Sequence, residues 1–433
     1  MTLNPGNADS DILSNFFSIA QACLAVLVIL TLVVARIAVA RWSRLGFPQI
    51  PEVSDELPHI TVVLPTWNEE KVIAAKLDDI ASQDYPEELI EVIIIDAASN
   101  DKTLHIVREW LSDRNLIGNP RFRIIEEPER NGKSASINKS FQEARPESEV
   151  LMMSDVDCRL GEGTLGRVAR WFTDTSIGAV TGRQILLNSV QSLQVGHEGR
   201  YRDFYSSLRI AESHLDSTPI FHGECAAYRR AAIVDHRIIE NSNADDSQMA
   251  VAARRSGFRA IYDPKITFFE MAPPDNEASR IQKVRRAQGL VRHFWRNKSM
   301  VLDDSFGSFR KVMALELSLH IVLPILVLLG FLTGLVHIGL VIDSTALEWQ
   351  AILALPDLEL MMLLADLLVI ILLMCGFIGL PLPASNLSLT FFNYMVALVR
   401  AQLLILTGTS LHRWQQVPSV REALREHDLA NHD

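Results

Sequence analysis

The sequence predicts an α/β protein with a mostly parallel sheet, flanked by membrane-spanning helices. Short apolar runs alternate with helix-like stretches through the first half of the chain. Continuous apolar strands of this kind are typical of a parallel sheet that is covered by helices on both faces. Long apolar runs lie near the N-terminus and after residue 313, and polar clusters follow three of the predicted strands.

The predicted strands cover residues 60–64, 92–95, 122–125 and 150–153. The predicted helices cover residues 69–82, 101–111, 134–143 and 247–255. In parallel sheets ligands bind at the carboxyl ends of the strands. The segments that directly follow the strands are therefore the first candidates for a functional site.

Four apolar segments indicate a multi-pass membrane protein. Residues 12–35 carry no charge and are long enough to span ~30 Å of hydrocarbon. Basic residues follow this run, so the positive-inside rule predicts that the N-terminus lies outside an inner or plasma membrane and that the next domain is cytosolic. The other apolar runs cover residues 317–342, 360–380 and 387–406.

The C-terminal topology stays open on the sequence alone. Three full spans would leave the C-terminus outside, whereas Arg413, Arg421 and Arg425 of the tail favour the cytosol. Alternatively, one of the three runs lies in the interface or dips in and returns. Asp366 falls inside a predicted span, where an acid is either functional or placed near the wet outer end.

Composition narrows the classes of partner. The net charge of −11 argues against nucleic acid, because phosphate binding needs a basic face. The four cysteines have no zinc or disulfide spacing. Seven Lys or Arg residues lie between Arg280 and Lys298, and such clusters next to a membrane bind anionic lipid. Membrane lipids are therefore expected partners.

Asp155-Val156-Asp157 follows the fourth predicted strand. Residues two apart on an extended backbone point the same way, so Asp155 and Asp157 can converge on one hard cation. Mg²⁺ or Mn²⁺ favours such oxygen ligands and completes its shell with substrate phosphates. The motif predicts a divalent metal site that accepts a phosphorylated ligand.

Three further positions each allow a functional and a structural interpretation. Lys133 follows a Gly at a helix start, which suits a phosphate, or it is a solvated lysine in an ordinary turn. Asp245 and Asp246 either cap a helix or provide a general base, because repulsion between adjacent acids raises a pKa. Arg285 contacts either lipid headgroups or a pyrophosphate, which a planar guanidinium suits.

The order of these motifs resembles the family 2 glycosyltransferases, in particular the membrane-embedded branch that contains cellulose, chitin, hyaluronan and poly-N-acetylglucosamine synthases. The resemblance covers residues 58–300 and the placement of the flanking membrane helices. It implies a GT-A-type, Rossmann-like fold and an inverting transfer from a nucleotide sugar, most readily a UDP-sugar, to a lipid or glycan acceptor. The expected units are an N-terminal anchor (1–45), a cytosolic GT-A domain (46–275), a basic interfacial segment (276–312) and C-terminal transmembrane or interfacial helices with a short tail (313–433).

The resemblance also implies a role for individual residues. Asp157, together with Asp155, is the implied metal ligand, and Asp246 is the implied catalytic base. The stretch 222–230 resembles the acceptor loop of the family. The implied contacts to nucleotide and diphosphate are Pro65, Asn68, Glu69, Asp96, Lys133, Asp155, Gln282, Arg285 and Arg286.

Two departures from the family pattern bear on the reaction. Ala97 and Ala98 stand where the family often has Asp-Gly, which removes or moves one nucleotide contact. Arg286 stands where polymerising synthases usually have a Trp that stacks on the growing sugar. The second departure weakens the case for a processive polysaccharide synthase and leaves room for an enzyme that adds one or a few sugars. The alternatives are a processive synthase that also secretes its polymer, and a non-catalytic membrane subunit that binds nucleotide.

Overall fold

The computed structural model describes residues 5–51, 56–188, 193–273, 276–380, 382–411 and 416–430. Arg413 of the tail lies outside the described residues. The chain divides into two compact units. The helical unit comprises Met1–Ala38 and Leu315–Leu403, and the sheet unit comprises Val39–Ala314 and Leu404–Asp433.

The described part of the sheet unit contains one eight-stranded mixed sheet. The strands are β1 (Ile60–Thr66), β2 (Ile90–Asp96), β3 (Phe122–Glu126), β4 (Val150–Met153), β5 (Cys158–Leu160), β6 (Ile177–Leu186), β7 (Ala226–Arg229) and β8 (Arg259–Glu270). Their spatial order is β3-β2-β1-β4-β7-β6-β8-β5. The first four neighbours in this order are parallel, as are β6 and β8, while β7 is antiparallel to β4 and β6, and β5 is antiparallel to β8. The predicted mostly parallel α/β sheet is confirmed, and an unpredicted mixed half extends it.

Helices precede, connect and follow these strands. In chain order they are α1 (Pro5–Trp42), α2 (Ile73–Ala81), α3 (Thr103–Asp113), α4 (Lys133–Glu143), α5 (Thr164–Trp171), α6 (Leu193–Leu215), α7 (Arg230–Ile233), α8 (Asp245–Arg255), α9 (Asn276–Arg296), α10 (Phe309–Leu317), α11 (Leu323–Thr345), α12 (Trp349–Leu353), α13 (Asp357–Phe377), α14 (Pro383–Leu406) and α15 (Pro418–Ala430). A π-helical turn, Ser318–Val322, joins α10 to α11.

The first predicted helix starts later than expected. Residues 69–72 were predicted to be helical, but α2 begins at Ile73. Asn68 has a left-handed backbone with a φ of 56°, and the Glu69 N–H donates to Thr103 Oγ1 at 2.8 Å. These contacts hold the segment as a turn, so the polar residues after β1 stay at the rim of the sheet.

Both faces of the sheet are covered by apolar side chains. Successive residues of a strand point to opposite faces, so Val62 joins one buried cluster and Val63 joins the other. Val420 and Leu424 of α15 belong to the first cluster and are 3% and 0% exposed. Full burial of such side chains contributes about 2 kcal/mol each, so the C-terminal helix is an integral part of this core.

Within the described residues, four helices are long and apolar enough to cross a membrane: Ile12–Trp42, Phe309–Thr345, Asp357–Phe377 and Ala384–Leu406. This finding supports the predicted membrane protein. Inside the helical unit, Gln21 of α1 donates to Asp366 of α13, and His337 Nδ1 of α11 lies 3.5 Å from the same carboxylate. Asp366 is 9% exposed. It is therefore enclosed among helices, so of the two alternatives for Asp366 the wet position is wrong.

Candidate active site

The segments after β1 and β2 form one hydrogen-bonded rim. Asn68 and Asn100 exchange side-chain and backbone hydrogen bonds of 2.8 and 2.9 Å, and the Asn68 N–H donates to Ser99 Oγ at 2.8 Å. Asp96 accepts from the Ser99 N–H at 2.9 Å and from Ser99 Oγ at 2.5 Å. Asp96 is 1% exposed, and its two hydrogen bonds to Ser99 hold the loop that follows β2. Its contact with a nucleotide base stays a prediction.

Pro65 is part of the sheet, while Asn68 and Glu69 lie in the turn that follows. Pro65 is buried in β1 opposite Ile95 of β2. Glu69 is also buried, but its carboxylate receives the guanidinium of Arg421 in a bidentate ion pair. Sequence reasoning placed Arg421 only in the tail and did not connect it with this loop.

Lys133 lies between the acidic residue after β4 and the acidic residue that begins α8. It begins α4 directly after Gly132, whose φ of 97° is readily adopted only by glycine. Its Nζ lies 2.6 Å from Asp155 Oδ1 and 3.8 Å from Asp245 Oδ2. Burial favours the neutral amine, but these two carboxylates outweigh it and raise the pKa of Lys133 above its ordinary value. The interpretation of Lys133 as a solvated lysine is therefore wrong.

The Asp-X-Asp pair follows β4 as predicted, and each of its carboxylates faces a different cation. Asp155 pairs with Lys133, whereas Asp157 Oδ2 lies 2.9 Å from Nη1 of Arg421. Burial opposes ionisation of Asp157, but the charges of Arg421 and Lys133 hold its pKa below the ordinary value. Asp157 is therefore ionised at neutral pH, which a metal ligand requires; its role as a metal ligand stays a prediction.

Asp246 is one of the acids of the site whose pKa lies near neutral pH. α8 begins at Asp245, directly after Ala244 with a left-handed φ of 63°. Asp246 Oδ1 accepts from the Ser247 N–H at 2.7 Å, so the residue also satisfies the helix start. Burial and the neighbouring Asp245 charge raise the pKa of Asp246 to about 7. Such a carboxyl is suited to accept a proton at neutral pH.

The loop before β7 approaches both Lys133 and Asp246. A Cβ placed on Gly223 would lie 3.1 Å from Lys133 Nζ and 3.8 Å from Asp246 Oδ2. Any side chain at this position would therefore occupy the space between the two groups. The paired arginines at the end of the loop have a structural role, since Arg229 donates to the carbonyl of Phe172 at 2.7 Å and Arg230 to that of Ser148 at 2.7 Å.

α9 brings Arg285 and Arg286 close to acidic side chains of the candidate site. Asn243 Nδ2 donates to the Arg285 carbonyl at 3.0 Å, which holds α9 against the segment before α8. Burial and Arg286 lower the pKa of Arg285, while Asp245, Asp155 and Asp157 are near enough to raise it. Among the described residues, no ion pair of the Arg285 side chain is found. Gln282 lies one turn earlier on the same helix.

Arg286 lies between two buried acids that sequence reasoning missed. Its Nη2 is 3.3 Å from Glu224 Oε1 and 3.2 Å from Glu270 Oε1. Burial and the charge of Glu270 raise the pKa of Glu224 to about 8. Glu224 falls in the stretch that resembles the acceptor loop, but no motif marks Glu270 at the end of β8. The expected contact of Arg286 with a diphosphate stays a prediction.

The donor set at the rim fits a divalent metal in combination with phosphate. Lys133 contacts two carboxylates, and Asp155 and Asp157 supply the hard oxygen atoms that Mg²⁺ or Mn²⁺ prefers. Within the described ranges, no group of three or more His, Cys, Asp or Glu is arranged to hold a metal by itself. Two carboxylates completed by substrate phosphates is the arrangement typical of Mg²⁺.

Comparisons with known proteins agree with this arrangement. The model described as "Glycosyl transferase family group 2" matches residues 150–403, which is more than half of the chain, and "Glycosyl transferase family 2" matches residues 61–237. The chain belongs to the family 2 glycosyltransferases. As a family 2 glycosyltransferase, it transfers a sugar from a nucleotide sugar.

Several relatives of this glycosyltransferase cover most or part of its length. An N-acetylglucosaminyltransferase of Rhizobium meliloti (strain 1021) is 25% identical over 314 residues, 70% of this chain and 70% of its own. A beta-monoglucosyldiacylglycerol synthase of Nostoc sp. is 26% identical over 167 residues, 38% of this chain and 32% of its own. The structure of mannosyltransferase PcManGT from Pyrobaculum calidifontis in complex with GDP-Man and Mn²⁺ has a TM-score of 0.68 and 26% identity, covering 92% of this chain and 99% of that one. The predicted GT-A-type fold is thereby confirmed.

Proposed function

We propose that this glycosyltransferase is an inverting, metal-dependent membrane enzyme that adds one or a few sugars to a lipid or glycan acceptor on the cytosolic side. The observation that carries the proposal is the meeting of Asp155, Asp245 and Asp246 around Lys133. Lys133 thus lies between Asp155, which follows β4 and can bind a metal, and Asp246 at the start of α8, which can accept a proton. This spacing suits a donor whose diphosphate is held beside its reacting sugar.

In the proposed reaction, Asp246 accepts the proton of an acceptor hydroxyl while that oxygen attacks the anomeric carbon of the donor sugar. The bond from this carbon to the diphosphate breaks on the opposite face, so the configuration inverts. The pKa of about 7 supports this role, because a base is most effective when its pKa lies near the working pH.

The leaving nucleoside diphosphate carries the negative charge that develops in the reaction. Arg285 and Lys133 are the cations proposed to bind it, through a planar guanidinium and a charged amine at a helix start. Asp157, with Asp155, would hold the Mg²⁺ or Mn²⁺ ion that neutralises part of this charge when bound. Gln282 and Arg286 would close over the same group.

The nucleotide would lie against the rim after β1 and β2, with Pro65, Asn68, Glu69 and Asp96 as the proposed surroundings. The N-acetylglucosaminyltransferase relatives favour a UDP-sugar, whereas the structural neighbour was solved with GDP-Man. The proposed units are the anchor 1–45, the cytosolic domain 46–275, the interfacial segment 276–312 and the C-terminal helices 313–433. A lipid acceptor is supported by the candidate membrane spans and by the diacylglycerol-lipid synthase among the relatives.

A screen of purified full-length protein tests the proposal. UDP-GlcNAc and GDP-Man are supplied with Mn²⁺ or Mg²⁺, with and without lipid extract, and release of nucleoside diphosphate is measured. Asp157→Ala and Asp246→Asn should each lower turnover by at least about 10³-fold, whereas Asp235→Asn, an exposed control, should match the wild type. Near-normal turnover in either site variant refutes its assigned role.

The product separates this proposal from its alternatives. A short product of inverted anomeric configuration supports the assignment, whereas a long polymer made from one nucleotide sugar would identify a processive synthase. Arg286 argues against a processive synthase. Its side chain, paired with Glu224 and Glu270, stands at the position where a synthase would have an aromatic ring that stacks on the sugar chain. Diphosphate release by the wild type excludes a non-catalytic subunit.

A further inference from the structure

The C-terminal helix α15 is anchored to the sheet unit at several points. Val420 and Leu424 are buried in the main core cluster. On the polar side, Asp428 pairs with Arg159 at 2.7 Å, two residues beyond the Asp-X-Asp motif. Glu422 also pairs with Lys71 in the segment after β1. The helix therefore spans the two chain segments that carry Glu69 and Asp157.

Arg421 projects from this helix between two acidic side chains of the candidate site. Its Nε and Nη2 donate to the two carboxylate oxygens of Glu69 at 3.1 and 2.9 Å, and its Nη1 lies 2.9 Å from Asp157 Oδ2. Arg421 is 5% exposed and Glu69 is 0% exposed. A bidentate pair fixes the plane of a guanidinium, so the remaining nitrogen is aimed at Asp157.

A second contact from the same segment holds the backbone of the rim. Gln416, just before α15, donates through Nε2 to the carbonyl of Trp67 at 2.7 Å and also to the carbonyl of Asn68. The turn after β1 is thus held by hydrogen bonds from Gln416 to its backbone and from Arg421 to its Glu69 side chain. Both contacts come from a part of the chain that follows the last candidate membrane span.

We propose that α15 is a constituent of the donor site and that Arg421 is a positioning residue, which ties Glu69 of the nucleotide rim to the metal ligand Asp157. A complex of metal and nucleotide would therefore bind tightly only while α15 is docked. The inference rests on the proposed function in one respect, namely that Asp157 holds the metal. Without Arg421, Glu69 would be a buried acid without its bidentate partner, and Asp157 would lose the guanidinium that holds its carboxylate in place.

A simple cation beside a metal ligand would by itself weaken metal binding, because like charges repel. The two assignments open to Arg421 therefore predict opposite results. A positioning residue strengthens binding of metal and nucleotide by fixing the carboxylate. If Arg421 instead only occupies the metal position until the ligand arrives, it weakens the binding of metal and nucleotide, and its removal would tighten that binding.

The test compares variants of the full-length protein in detergent. Binding of Mn²⁺ together with UDP or GDP is measured by calorimetry and by the Mn²⁺ electron paramagnetic resonance signal, and unfolding is followed by temperature. Arg421→Gln should weaken binding at least tenfold. Arg421→Lys, which keeps the charge but loses the fork, should retain most of the thermal stability and still bind several-fold more weakly. Arg425→Gln, an exposed arginine one turn later, should change neither quantity.

The double variant Glu69→Gln/Arg421→Gln separates positioning from folding. It removes the buried unpaired acid, so we expect its thermal stability to recover while binding stays weak. Wild-type or tighter binding by Arg421→Gln overturns the inference, and so does a double variant that recovers binding together with stability. Asp157→Ala separates the proposed metal site from the positioning role of Arg421. Loss of binding in this variant supports the metal site whatever the result at Arg421. Absence of binding in the wild type, or wild-type binding by Asp157→Ala, overturns the proposed metal site and the inference together.

Discussion

Replacing Asp246 with Asn should abolish sugar transfer and, at the same time, stabilise the protein at pH 8. Asn keeps the oxygen that accepts from the Ser247 N–H, but it removes a charge that lies next to Asp245 in a largely enclosed site. The pKa of Asp246 is raised from 3.8 to about 7, so the folded protein holds this proton more tightly than the unfolded chain does. The ionised group therefore destabilises the fold above pH 7, and this cost disappears as the pH falls below 4.

The size of the effect follows from the shift. Three pKa units correspond to about 4 kcal/mol, and because solvent still reaches the side chain we expect about half of this, ~2 kcal/mol, at pH 8. For a domain of this size, that raises the unfolding temperature by about 4 °C. Thermal unfolding of Asp246→Asn and the wild type at pH 8 and pH 5 measures it, with Asp235→Asn as the exposed control. A lower unfolding temperature for Asp246→Asn at pH 8, or an equal gain at both pH values, would refute the electrostatic reasoning.

Three further results are expected. Since the base must be ionised, kcat/KM should rise with pH through about 7 and fall roughly tenfold per unit below it, and a profile flat between pH 5.5 and 8 would exclude Asp246 as the base. Gly223→Val should lower turnover at least about tenfold by displacing Lys133 or Asp246, whereas Gly46→Val, which has open space around it, should not; equal activity of both would contradict the close approach. Residues 309–314 and 404–430 both belong to the sheet unit, so we expect an even number of membrane crossings between them, with one of the three candidate spans lying in the interface or dipping in and returning. An impermeant maleimide should label Leu429→Cys and Ile117→Cys, both exposed, from the same side of sealed vesicles, and labelling from opposite sides would refute this.

The sequence predicts the parallel half of the sheet well because its strands are continuous apolar runs. β4 has the predicted bounds, and β1, β2 and β3 extend the predicted strands by one to three residues. β5 has only three residues, and β8 contains Asp263-Pro264-Lys265 in its middle, near a register shift against β6. Such strands depend on long-range pairing rather than on a local pattern, so the antiparallel half was not predicted.

Some residues of the candidate site can be predicted from local sequence motifs, whereas others come to the site only through long-range contacts. Asp155, Asp157 and Asp246 are recognisable because each stands in a short motif at the end of an element. Glu270 and Arg421 belong to no motif, and Arg421 meets Asp157 only because α15 folds back onto the core. A single sequence gives no signal for such a contact, and the tail arginines were considered only for the side of the membrane they favour.

The pairing of charges at the rim bears on how a donor could bind there. Lys133 and Arg421 each contact a carboxylate of the Asp-X-Asp pair, so the protein already balances part of this negative charge. A metal bound together with a diphosphate brings charges of both signs, and Lys133 can then turn from Asp155 towards a phosphate oxygen without leaving either carboxylate or amine unpaired. Arg421 differs from Lys133, because its fork is fixed on the buried Glu69 and cannot follow the ligand. Lys133 can thus exchange partners when the donor binds, whereas Arg421 keeps Glu69 and Asp157 in place. We therefore expect that a positive charge alone, as in Arg421→Lys, is insufficient at position 421.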